Sequence, residues 1–146
     1  MTLNLPKYEF RIKNKDNQPY IFDFIRKKYY LLTPEEWVRQ HFVRYLIEEK
    51  KYPKGRIGVE ILVKINGMNK RSDIVVYNEK GNPLLIVECK RPKVAITQET
   101  FDQIARYNLQ LNAQFLIVTN GLQHFCCQMD FENQNYIFLE EIPEMK

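Results

Sequence analysis

The segment Leu84–Lys90, LLIVECK, limits the architecture more than any other part of the chain. Its apolar run lacks polar alternation. As a strand it must be covered on both faces, which calls for a sheet layered against helices. The run closes on Glu88-Cys89-Lys90, and charge at the end of a buried strand needs a reason. Strand alternation puts Glu88 and Lys90 on one face and turns Cys89 to the other. Acidic residues followed by lysine also occur at Glu48-Glu49-Lys50-Lys51 and Glu144-Met145-Lys146. Those lie at a charged helix end and at the last residues, where solvated charge is a sufficient account.

The surrounding segments supply the rest of the layers. Residues 7–31 read as two short strands, YEFRI and YIFDFI, around the turn Asn14–Pro19. Thr33-Pro34-Glu35-Glu36 is a helix start, with Thr33 as N-cap, Pro34 at the first position and Glu36 completing a capping box. The helix that follows carries Val38, Phe42, Tyr45 and Leu46 at helical period and stops near Tyr52-Pro53. Three strands come next, over Gly58–Ile65, Arg71–Tyr77 and Leu84–Lys90. The Asn66-Gly67 turn and the loop Asn78–Pro83 join them, so they should be antiparallel neighbours. A second helix over Thr97–Leu111, a buried strand over Gln114–Gly121 and two short strands, HFCCQM and NYIFLEEI, finish the chain. The expected fold is α/β, a mixed sheet flanked by helices with a small N-terminal β-hairpin.

The 146 residues suit one domain, 1–146, with a hairpin arm at 1–31, a core at 32–125 and C-terminal strands at 126–146. No apolar run approaches the ~20 residues that span a bilayer. MTLNLPKYEF has neither the basic start nor the apolar stretch of a secretory signal. Cys89, Cys126 and Cys127 make no disulfide framework, so a reducing, cytoplasmic setting is expected. Zinc-type ligand spacing, a phosphate-binding glycine loop and a nucleophile elbow are all missing from the sequence. Charge is uneven: residues 1–72 hold 16 Lys/Arg against 8 Asp/Glu, and residues 73–146 hold 6 against 10. A basic half of this size suits a polyanionic partner as well as a solvated surface.

Asp73 lies near the start of the strand preceding LLIVECK, and antiparallel pairing brings it beside Glu88 and Lys90. Two carboxylates and a backbone carbonyl can bind a hard cation such as Mg²⁺. Such a metal acidifies a water and neutralises charge on a phosphate, and an adjacent lysine can orient that water or stabilise the transition state. The same trio also reads as a salt bridge of Lys90 with Asp73 or Glu88. Arg26-Lys27-Lys28, Lys50-Lys51 and Lys70-Arg71 could follow a phosphate backbone, and Arg91 and Lys93 are better placed for it.

Four segments, TPEEWVRQHFVRYL, KRSDIVVY, LLIVECKRP and FDQIARYN, resemble the PD-(D/E)XK nuclease superfamily. Within it they resemble the N-terminal nuclease domain of type I restriction enzyme R subunits. The resemblance implies a restriction-endonuclease-like fold and a Mg²⁺-dependent endonuclease acting on DNA, with Mn²⁺ able to substitute. Asp73 and Glu88 would be metal-binding acids, the carbonyl of Cys89 a further ligand, and Lys90 the catalytic lysine. Gln103 and Tyr107 match a Gln-xxx-Tyr motif that supports the site and contacts DNA, and their i, i+4 spacing shares one helix face. A first-helix glutamate would complete the metal set. Glu35, which shares the stripe of Val38 and Phe42, is favoured over Glu36. Arg71, Arg91 and Lys93 would join Tyr107 in holding nucleic acid. Ser72 stands where the superfamily's proline would precede Asp73. No nucleotide-binding motif occurs in these residues, so the resemblance supports the nuclease chemistry but not the restriction pathway. A second copy of the chain, or separate motor and specificity subunits, would be the protein partners. A DNA-binding module with an unused site, and a purely structural domain, are the rival readings.

Overall fold

The computed structural model describes residues 2–65 and 67–145; Met1, Asn66 of the Asn66-Gly67 turn and Lys146 lie outside the described residues. Two sheets enclose the first helix. Strands β1 (Ile12–Lys15), β2 (Gln18–Asp23) and β3 (Lys28–Leu31) form an antiparallel three-stranded sheet. Helix α1 spans Pro34–Glu48 and is capped as expected, with Glu36 N donating to Thr33 Oγ1 at 3.0 Å. Strands β4 (Ile57–Ile65), β5 (Met68–Tyr77), β6 (Pro83–Cys89), β7 (Phe115–Thr119), β8 (His124–Asp130) and β9 (Asn135–Leu139) form a six-stranded sheet in that order. Among the described residues only the β6–β7 pairing is parallel; helix α2 (Gln98–Asn108) makes the crossover that a parallel pair requires.

The apolar pattern explains the layering. Leu85, Val87 and Cys89 pack on the α1 side with Val38, Phe42 and Leu46. Ile86 turns to the other side, into a cluster with Phe101 and Ala105 of α2. Strand β6 is therefore covered on both faces, as its run of apolar residues requires. Helix α1 is itself covered twice. Opposite its apolar stripe, Trp37 and His41 stack against Phe10, with ring centroids at 5.6 Å and 4.9 Å. Gln40 Nε2 donates to Asp23 Oδ2 at 3.0 Å, tying the helix to the small sheet.

The expected hairpin arm over residues 1–31 is corrected to a three-stranded sheet. The turn is Asp16-Asn17, both at positive φ, a two-residue loop, so the first strand is Ile12–Lys15, displaced from YEFRI into the residues that read as turn. Asp23 then folds the chain back. Its Oδ1 accepts from the backbone N–H groups of Ile25 (2.7 Å) and Arg26 (3.0 Å). A third strand follows where the sequence pattern showed only a basic run.

One irregularity positions the site. Ile57 and Val59 pack in the α1-side cluster, whereas Ile61 and Val63 pack on the α2 side. Residues two apart on a regular strand share a face, so β4 turns over between Val59 and Ile61. Glu60, at φ 55°, is the residue that takes up the change. A side chain in this region is strained by about 1–2 kcal/mol, which glycine avoids. Glu60→Gly should therefore be more stable than Glu60→Ala by about 1 kcal/mol, the reverse of the usual strand preference. Denaturant midpoints of the two variants check it, and Ala above Gly would contradict the assigned backbone.

Candidate active site

The site is built on neighbouring ends of β4, β5 and β6. Pairing of Ile74 with Val87 and Val75 with Ile86, continued one step, puts Asp73 across from Glu88. Pairing of Val59 with Ile74 and Ile61 with Ser72 puts Glu60 across from Asp73 on the other side. Three carboxylate residues thus occupy one row across three strands.

Each carboxylate has a partner. Arg39 reaches in from α1, and its Nη2 donates to Asp73 Oδ1 at 2.8 Å and lies 3.0 Å from Glu60 Oε1. The other oxygen of Asp73 accepts the backbone N–H of Cys89 at 2.8 Å. Arg39 also pairs with Glu36 at 2.6 Å and lies 4.0 Å from Glu35. One guanidinium therefore faces four carboxylates. Burial alone would disfavour its charge, but the hydrogen bond to Asp73 and the charges of Glu36 and Asp73 keep Arg39 firmly protonated. Glu88 is held by Lys70, at 2.5 Å, and Lys70 Nζ also sits over the Tyr107 ring, 4.7 Å from its centroid.

Burial raises the Glu88 carboxyl pKa against the pull of Lys70, and Asp73 adds to the rise. Burial also raises Glu60, opposed by Arg39 and reinforced by Asp73. Burial and then Asp73 push the Cys89 thiol far up, so it packs as a neutral side chain. An acid whose pKa is raised on folding binds more protons in the native state, so its contribution to stability falls as pH rises through that range. Glu88→Gln removes this slope. Its melting temperature relative to wild type should shift in the variant's favour between about pH 4 and about pH 7. A difference that stays constant, or moves the other way, would remove the strained-carboxylate account.

Asp73 and Glu88 come together as the strand pairing required. Lys90 follows Glu88 beyond β6, partly buried, and its charge lowers the Glu88 pKa. It forms no ion pair among the described residues, so the salt bridge of the rival reading is not made by Lys90; the two acids pair instead as Arg39–Asp73 and Lys70–Glu88. The expectation that Glu35 points inward is corrected. The Glu35 side chain is 48% exposed and that of Glu36 7%. Glu36 takes Arg26, Arg39 and Gln40 as partners. With α1 covered on two sides, one apolar stripe no longer marks the only interior face. Gln103 is exposed, one turn before Tyr107 on α2. Arg91 and Lys93 are exposed just past β6. Arg71, also exposed, lies 3.6 Å from Glu60.

Arg39, Glu60 and Lys70 are site residues that the sequence reading did not assign. Arg39 carried a signal in its i, i+3 and i, i+4 spacing from Glu36 and Glu35. The donors on β4–β6 and α1 are carboxylate oxygens, the chemistry that hard cations take. Among the described residues, no three His, Cys, Asp or Glu side chains are arranged to hold a metal ion. Arg39 and Lys70 supply the counter-charge here.

An acid row beside a lysine, on a mixed sheet between two helices, defines a restriction-endonuclease-like domain, the class that the sequence resemblance implied. Residues 34–143 match the type I restriction enzyme R protein N terminus (HSDR_N) family, and the chain belongs to that family. The fold is similar to a fragment of an HsdR subunit of a type I restriction enzyme from Vibrio vulnificus YJ016. The identity is 20% and the TM-score 0.53 over 77% of this chain. The chain spans 24% of the length of that one. No curated protein matches the chain. Among the described residues no helix is long and apolar enough to cross a membrane.

Proposed function

We propose that this domain is a metal-dependent nuclease that hydrolyses DNA phosphodiester bonds. The observation that carries the reading is the meeting of Asp73 and Glu88 beside Lys90, which is free of ion pairs among the described residues, in a restriction-enzyme family. Asp73, Glu88 and the carbonyl of Cys89 would hold Mg²⁺ or Mn²⁺, with Glu35 the more accessible of the two first-helix acids. The ion would make a nearby water more acidic and neutralise charge on the phosphate. Lys90 orients the attacking water and stabilises charge developing on the phosphate as the bond to the leaving oxygen breaks. Tyr107 steadies Lys70, and through it Glu88, by its cation–π contact. Gln103, Arg91, Lys93 and Arg71 are exposed and available to the DNA backbone. A second copy, or separate motor and specificity subunits, would select the DNA.

A structural reading has its own support, because Asp73 and Glu88 are each already paired. Thermal melting with increasing Mg²⁺ or Mn²⁺ separates the two. A ligand that binds only the folded chain raises its stability as concentration exceeds the dissociation constant. The nuclease reading expects a rise in melting temperature that Asp73→Asn removes. No shift in wild type would favour the structural reading.

A further inference from the structure

The outer face of the three-stranded sheet plays no part in the site described above. Ile21 and Asp23 of β2 are buried inward, so Tyr20 and Phe22 point outward. The strand pairing sets Lys13, Tyr20 and Leu31 in one outward row. Arg11, Phe22 and Tyr29 form the next, joined by the bond from Phe22 N to Arg11 O at 2.9 Å and the pairing of Phe22 with Tyr29. Lys15, opposite Gln18, extends the cation column. Arg11, Lys13 and Lys15 therefore stand at every second residue, about 6.4–6.8 Å apart. All three are exposed.

Rings and cations interleave across this face. Arg11 lies 5.1 Å from the Phe22 centroid and Lys13 Nζ 4.1 Å from that of Tyr29, while Phe22 and Tyr29 meet edge to face at 5.2 Å. Beyond them Arg44 and Lys54 lie over Phe24, at 5.5 Å and 4.7 Å. None of the outward residues on the three strands is a carboxylate, though Asp16 lies in the turn and Glu9 beside Arg11.

We infer that this face is a binding surface for single-stranded nucleic acid. The cation column follows the phosphates, and the rings accept unpaired bases. A duplex would use the charges but could not bring its bases onto the rings, since they are stacked and paired. An acidic protein segment would use the charges without needing the rings. The surface is separate from the acid row, so binding does not depend on the nuclease reading.

The test is fluorescence anisotropy of the whole chain with a labelled oligothymidylate of about 20 nucleotides, in EDTA so that nothing is cleaved. Binding should weaken with salt, with a slope near −0.7 per phosphate contact. Lys13→Glu with Lys15→Glu should reduce affinity tenfold or more by placing charge of the wrong sign along the strand, on the order of one lost contact per site. Tyr20→Leu keeps an apolar side chain but removes the ring, and should cost about tenfold. Circular dichroism checks that each variant is folded, and the exposed lysines make the charge variants safe for the fold. The inference is overturned if duplex binds as tightly as the single strand, if polyglutamate competes equally with the oligonucleotide, or if folded Lys13→Glu, Lys15→Glu protein keeps wild-type affinity.

Discussion

Lys90→Ala should lower metal-dependent DNA cleavage by about 10²–10³ while leaving the melting temperature nearly unchanged. The asymmetry follows from its surroundings. Lys90 forms no ion pair among the described residues, and Asp73 and Glu88 have other cations as partners. Removing the ammonium therefore strands no buried carboxylate. What is lost is positive charge where the phosphate gains negative charge, an interaction that counts mainly in the transition state. Single-turnover cleavage and melting of the same preparations read both quantities. A large drop in melting temperature would identify Lys90 as a structural ion, and unchanged cleavage would remove its catalytic role.

Arg39 should behave in the opposite way. It is 8% exposed and faces Glu35, Glu36, Glu60 and Asp73. Arg39→Leu keeps much of the apolar stem but leaves buried carboxylates without their cation. Breaking such a cluster from one side costs about 3–5 kcal/mol, or on the order of 10 °C in a domain of this size. The loss should be partly recovered by Mg²⁺ or Mn²⁺, because the oxygens vacated by the guanidinium still need positive charge. Melting curves with and without metal check both parts. A variant as stable as wild type would mean that Arg39 is not the counter-ion of this cluster.

The contrast between Lys90 and Arg39 also shows what the sequence could convey. The fold was largely readable. LLIVECK demanded a doubly covered strand, Thr33 and Pro34 fixed the start of α1, and short loops made β4, β5 and β6 antiparallel neighbours. That pairing brought Asp73 to Glu88. The third N-terminal strand escaped because its cause is local hydrogen bonding by the Asp23 side chain rather than periodicity. Glu36 rather than Glu35 takes the inward position, because a helix covered on two sides has no single inward stripe. Glu60 was partly legible. The pairing of Ile65 with Met68 fixes a register that sets Glu60 opposite Asp73. Its left-handed backbone has no sequence signal, since glutamate rarely adopts that conformation. Arg39 was hidden for a physical reason: an arginine on a charged helix ordinarily reads as solvated, and only the third dimension places it over β5.

The central claim is tested most directly by incubating supercoiled plasmid with the purified chain in EDTA, Mg²⁺ or Mn²⁺ and following conversion to nicked and linear forms. Wild type should cleave only when a metal is present, and Asp73→Asn and Lys90→Ala should not cleave under the same conditions. Intact plasmid with wild type in every metal, or cleavage that survives in both folded variants, would contradict a nuclease site at Asp73, Glu88 and Lys90.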